Sequence, residues 1–267
     1  MQNDTPRIEN DVQDRNSIAW KKLCEYVDKV AEENLDEFTP SKELGAELFA
    51  QIHTLPESIS KLTKVRKISL YGSSLKRIPP EIGQMESLEF FDPYTSYGLN
   101  WLPYEITKCK NLNHSRISTR ALFGNFKYRT AFPDLTENPV RYTGDRVQCS
   151  VCGMAMSYEQ TNQLWITLYV GNDAMPLLAN LCSKTCEATL PLPPEDYVQF
   201  PHKGGSGLVQ PLTEDELFEL EMENDEIDQS DEEIAIEPLH NDKPIQEKQS
   251  EKKAVQLIRL IKKIWDR

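Results

Sequence analysis

Leu55-Pro56-Glu57-Ser58-Ile59, Ile78-Pro79-Pro80-Glu81-Ile82 and Leu102-Pro103-Tyr104-Glu105-Ile106 are one short phrase written three times, at spacings of 23 and 24 residues. Each copy runs on through Leu62, Met85 or Cys109 and then Val65, Leu88 or Leu112. A strand-like stretch follows: Ile68-x-Leu70, Phe91-x-Pro93 and Ser115-x-Ile117. Self-similarity at a fixed period marks a solenoid, in which no unit can bury its apolar face without its neighbours. Within each strand, side chains alternate between core and surface. Stacking therefore lines the outward residues up in columns: Lys67, Phe90 and His114; Ser69, Asp92 and Arg116; Tyr71, Tyr94 and Ser118.

The three units resemble leucine-rich repeats of the intracellular, bacterial-like type, whose units open on Leu-Pro. The resemblance covers about a quarter of the chain. It implies an α/β solenoid, a concave sheet face and an adaptor that binds protein without catalysis. Aromatics mixed with charge on a rigid exposed surface have the composition of a binding hot spot. The expected partner-binding residues are therefore Lys67, Tyr71, Phe90, Asp92, Tyr94, His114 and Arg116, with Asp92 and Arg116 close enough to pair instead. Two features depart from the family pattern. The turn position usually held by Asn is read as Ser73, Ser96 and Arg120, and Pro93 replaces an inward strand leucine while removing a ladder donor.

An open stack needs its ends covered. Before it, residues 17–33 carry Ile18, Leu23, Val27 and Val30 at helical spacing, with Trp20 and Tyr26 on the flanks. A second helix starts at Thr39-Pro40-Ser41 and continues through Leu44, Leu48, Phe49 and Ile52. Residues 1–54 are thus expected to form an N-terminal helical cap, followed by repeats over 55–132. The density of Leu122, Phe123, Phe126, Tyr128 and Phe132 predicts the seal at the other end.

Four of the six cysteines fall in two close pairs, Cys149-x-x-Cys152-Gly153 and Cys182-x-x-x-Cys186. Tetrahedral zinc sites are regularly built from two such pairs. Gly153 allows the left-handed turn beneath a metal, and positions 182 and 186 share one face of a helix turn. Between the pairs, residues 163–170 read as hairpin strand. Knuckle, hairpin and helix in that order look like a treble clef, and the Leu-Cys-Ser-x-x-Cys element resembles small zinc domains of the TRASH and MYM type. The expectation is one structural zinc on Cys149, Cys152, Cys182 and Cys186, in a small α+β module over 133–212. A disulfide pair would need an oxidising compartment, and a redox pair at Cys149 and Cys152 leaves the second pair unexplained. Cys24 and Cys109 read as buried thiols.

A net charge of −13 hides a strong segregation. Residues 58–132 carry 12 basic and 5 acidic groups, whereas residues 213–237 carry 13 acidic groups and no basic one. Such a run repels itself and reads as a disordered acidic linker over 213–249, or as a tethered mimic of an acidic partner lying on the basic repeats. Residues 250–267 read as a basic amphipathic helix, which can dock on its own domain, fill a partner's groove or lie on an anionic membrane surface.

Catalysis is not expected. Four cysteines close a metal's coordination shell, and neither His-Glu-x-x-His nor His-x-Glu ahead of paired cysteines occurs. Pro201-His202-Lys203-Gly204-Gly205-Ser206-Gly207 lacks the strand-before, helix-after setting of a phosphate loop and reads as a turn. With no signal-peptide core or apolar run long enough to span a bilayer, a cytoplasmic protein is expected. No small-molecule substrate is implied. Two alternatives stand beside the adaptor: a zinc-dependent ubiquitin-ligase-like substrate adaptor, and a nucleic-acid-binding zinc protein. The acidic balance of residues 133–212 argues against the second.

Overall fold

The protein is a mixed α/β structure with little helix and several small sheets. A computed structural model describes residues 6–8, 10–220 and 222. Those up to Phe218 form one compact unit. The expected acidic linker from residue 223 onward and the expected helix at 250–267 lie outside the described residues.

The chain opens with α1 (Ile18–Glu32), capped where the Ser17 hydroxyl accepts from the Trp20 N–H at 3.1 Å. Its buried stripe is Ala19, Trp20, Leu23, Val27 and Val30. Trp20 thus belongs to the core, whereas Ile18 is 68% exposed, so the face is rotated from the one expected. Strand β1 (Glu37–Phe38) then precedes α2 (Pro40–Phe49), which breaks at Gly45, with φ +76°.

Each Leu-Pro phrase ends in a short 3₁₀ turn, Glu57–Lys61, Pro80–Gln84 and Tyr104–Lys108. Pro56, Pro79 and Pro103 hold the extended residue before each turn. Strands β2 (Lys67–Ser69), β3 (Phe90–Asp92) and, after the two-residue β4 (Leu102–Pro103), β5 (His114–Ser115) belong to successive units. They build a parallel sheet in the order β1-β2-β3-β5, with Lys67 opposite Phe90 and Phe90 opposite His114. The N-terminal segment therefore contributes a strand as well as helices, since β1 pairs directly with β2.

Beneath the sheet, a serine ladder does the work expected of turn asparagines. Ser73 and Ser96 hydroxyls lie 2.7 Å apart, and Ser96 also donates to the Leu70 carbonyl at 3.1 Å. In the third unit the rung is Ser118, whose hydroxyl accepts from the Thr95 N–H at 2.9 Å. Ser118 thus takes the place expected of Arg120, and being buried it leaves the outward column.

After β6 (Arg146–Gln148) and β7 (Ala155–Ser157) comes a long hairpin, β8 (Asn162–Val170) with β9 (Asp173–Leu181), closed by Gly171-Asn172. This hairpin packs against the elements of the parallel sheet. Its Ile166, Leu168, Val170, Met175 and Leu177 share one core with the repeats. Strand β4 pairs with β9, and the Asn172 side chain accepts from the Ser115 N–H at 2.6 Å. The exposed edge of β5 is thereby covered. Of the aromatic stretch expected to form the seal, Phe123 and Phe132 are buried around Trp165, but Phe126 and Tyr128 are exposed. The glycine-rich turn closes this second core: His202 pairs with Trp165 through the backbone and packs edge-on to Phe132 at 4.6 Å. Residues 214–218, placed in the disordered linker by composition, are helical, started where the Thr213 hydroxyl accepts from the Glu216 N–H at 3.1 Å.

Candidate functional site

The four paired cysteines converge. Cys149 follows β6 and is fully buried. Its carbonyl accepts from the Gly153 N–H at 2.9 Å, and Gly153 has φ +75° with open space where a Cβ would sit. The glycine is needed for its backbone conformation, as the spacing implied. Ser150 docks this knuckle on β9 by donating its N–H to Asn180 at 2.7 Å and accepting the Asn180 N–H at 2.9 Å. Cys182 ends β9. Ser183 then caps α3 (Lys184–Ala188) by accepting from the Cys186 N–H at 3.2 Å, which places Cys186 one turn further on.

The sulfurs of Cys152 and Cys182 are 3.6 Å apart, as are those of Cys182 and Cys186, and all four lie within 4.8 Å of one another. A tetrahedral ion with metal–sulfur bonds of about 2.3 Å has edges of about 3.8 Å. The two 3.6 Å spacings lie close to that figure, and the four thiols could hold one metal ion such as zinc. Burial raises the Cys149 thiol's pKa, but the N–H groups of Cys152, Val151 and Cys182 outweigh it and bring the value to about 6. Cys109 is the contrary case: burial pushes it up to about 12, and its thiol donates to the Ile82 carbonyl at 3.2 Å. It is a core group with no thiolate character.

On the outer face of the parallel sheet, Tyr71 and Tyr94 lie 6.1 Å apart, centroid to centroid. The Arg116 guanidinium sits 5.7 Å from the first ring and 5.5 Å from the second. Asp92 fixes it from behind, accepting from Arg116 Nε at 2.9 Å and Nη2 at 2.5 Å. Asp92 is itself only 3% exposed, so it has little surface to offer a partner; of its two sequence readings, the pair with Arg116 is the one formed. Both tyrosines remain open, at 53% and 42%. Phe90 is half-buried beside His114, with rings 6.5 Å apart, and Lys67 is tied to Glu37 at 2.9 Å. Tyr97, absent from the expected set, is 69% exposed.

A second group was not foreseen. Glu81 and Glu105 occupy the same position of adjacent Leu-Pro phrases, 24 residues apart. The stack sets them side by side, and the β6–β7 hairpin encloses them. That recurrence was the one available signal. Glu105 is 5% exposed. Burial raises its pKa to about 7 from 4.5, with the neighbouring Glu81 adding to the rise and the Ser150 hydroxyl and Lys108 opposing it. The folded state therefore holds this proton more tightly than the unfolded chain. Stability from this carboxyl is full below pH 4.5 and is lost as pH rises to about 7. The expected loss is about 3 kcal/mol across that window. Urea titrations should show Glu105→Gln gaining that amount relative to the parent between pH 4.5 and 8.

Among the described residues, no helix is long and apolar enough to cross a membrane. The sequence matches no known protein-family model, and no curated protein matches it.

Proposed function

We propose that this protein is a non-catalytic binding scaffold: a short leucine-rich repeat solenoid with an N-terminal helical cap, closed at its other end by a module holding one structural zinc. Cys149, Cys152, Cys182 and Cys186 hold the ion as thiolates. Such a centre has no open position for a substrate or a metal-activated water. Its work is mechanical, fixing the β6–β7 knuckle and α3 to the end of β9. A reducing compartment suits this arrangement because it keeps the thiols free to bind metal, so the cytoplasm is the proposed location.

A protein partner engages the sheet's outer face. The observation that carries this reading is the exposed Tyr71–Tyr94–Arg116 cluster, held rigid from beneath by the buried Asp92. Tyrosine and arginine are the residues in which binding energy concentrates, and pre-ordering them lowers the entropy lost on association. Phe90 and His114 extend the surface, with Lys67 at its edge.

The test is affinity capture from native lysate with the full chain, followed by titration of the captured protein. Tyr94→Ala and Arg116→Ala are each expected to weaken binding by about 2 kcal/mol, or roughly thirtyfold. A partner whose affinity ignores both substitutions would refute the sheet face as the binding surface.

A further inference from the structure

A cleft of about 320 Å³ runs between the second and third Leu-Pro turns and the β6–β7 hairpin. Among the described residues, four buried side-chain polar atoms have no hydrogen-bond partner in the protein. Three of them, Glu81 Oε2, Glu105 Oε2 and the Tyr142 hydroxyl, belong to residues lining this one cleft. A buried polar group left without a partner is costly. Two of the three are carboxyl oxygens and the third is a hydroxyl that accepts as well as donates, so a ligand that supplies donors can satisfy all three.

We infer that the cleft binds an ammonium group, carried either by a free amine or by a lysine side chain of another protein. An ammonium has three N–H donors and no acceptor, which matches three acceptor oxygens. Its charge answers two carboxyls that burial makes costly to ionise. An anion would meet both carboxyls, and a neutral donor would leave their charge uncompensated. A metal ion is a poorer match. Among the described residues, the one group of three or more His, Cys, Asp or Glu side chains close enough to ligate a metal is the cysteine set, and the cleft brings together two carboxyls. Pro79 and Ala155 add apolar wall for a methylene stem.

Two further details fit. Glu57, also on the cleft, is paired with Arg15, whose guanidinium reaches its two oxygens at 2.9 and 3.0 Å and also meets Asp11 at 3.2 Å. The carboxyl oxygens left without a partner on the cleft are those of Glu81 and Glu105. Lys108 and Arg146 border the cleft but are exposed, and Arg146 is directed to the Ala155 carbonyl at 3.1 Å. Gly83 makes the juxtaposition possible, because a Cβ there would stand 2.6 Å from the Glu105 carbonyl oxygen and force the two turns apart.

Isothermal titration of the full chain at pH 8 tests this with butylammonium chloride. Butanol serves as the uncharged isostere, and tetramethylammonium as a cation without N–H donors. Saturable one-to-one binding of butylammonium is expected, with none for butanol and at least about tenfold weaker binding of tetramethylammonium. Glu81→Gln and Glu105→Gln should each weaken butylammonium by about tenfold or more, with circular dichroism checking that both variants fold. A lysine-containing pentapeptide binding more tightly than spermidine would assign the ammonium to a partner's side chain. The reverse order would assign it to a free polyamine, and both results support the site. Absence of saturable binding by any amine, or equal affinity in the parent and both folded variants, would overturn it.

Discussion

Trp165→Ala is expected to destabilise the protein by about 3–5 kcal/mol, the usual cost of emptying a large aromatic site. Trp165 is fully buried and is met edge-on by Trp101 at 5.7 Å and Phe123 at 5.9 Å, with Phe132 tilted against it at 5.9 Å. Its indole N–H donates to the Pro133 carbonyl at 3.0 Å. Its backbone exchanges hydrogen bonds with His202 at 2.8 and 3.0 Å. Neighbouring positions on the same strand reach the repeat core through Ile166 and the knuckle core through Leu164. The residue thus sits where three cores meet, and the space it leaves cannot close without moving β8. Trp165→Phe keeps a ring but orphans the Pro133 carbonyl, so about 1–2 kcal/mol is expected there. Urea denaturation measures both. A loss below about 1 kcal/mol for the alanine variant would mean that the hairpin does not tie the cores together.

The second large effect is expected on removing the proposed metal. Ligands brought together by folding convert metal-binding energy into folding energy. Cys149 and Cys186 also belong to the knuckle core with Met156, Leu164 and Leu181, so the thiols and the packing support each other. Stripping the ion with a chelator, or replacing Cys182 by Ser, is expected to lower unfolding free energy on the order of 5 kcal/mol. The cost falls first on β6, β7 and α3, because those elements are short and carry three of the ligands between or within them. Hydrogen exchange before and after chelation locates the change. An unaltered urea midpoint in protein shown to be metal-free would remove the structural role assigned to the ion.

How far the fold can be read from the sequence depends on the range of the forces that set each part. The repeat register is legible because Lys67, Phe90 and His114 follow from a local period, and the sheet pairs them as that period requires. The cysteine site is legible for the same reason: two short spacings and one glycine fix the ligand geometry locally. The strand Glu37–Phe38 has no period to betray it, since two residues cannot alternate. Nor does the hairpin's packing against the parallel sheet appear in its sequence. Leu164, Trp165, Ile166, Thr167 and Leu168 are all buried, and a run without alternation does not say what covers either face. The shared column announces an Asp92–Arg116 pair, but not which partner it buries; the fold buries Asp92 and leaves Arg116 exposed. Glu81 and Glu105 look like solvated turn acids until the β6–β7 hairpin, which starts 65 and 41 residues further along, encloses them.

The scaffold reading depends on a closed, four-thiolate metal centre. Binding rather than catalysis follows only if no coordination position is left open. Native mass spectrometry of the full chain purified without added metal tests this directly, with Cys182→Ser alongside. The expected spectrum shows one zinc per chain, and Cys182→Ser loses stoichiometric zinc. Metal-free protein with intramolecular disulfides, or a different metal that survives in Cys182→Ser, would contradict it.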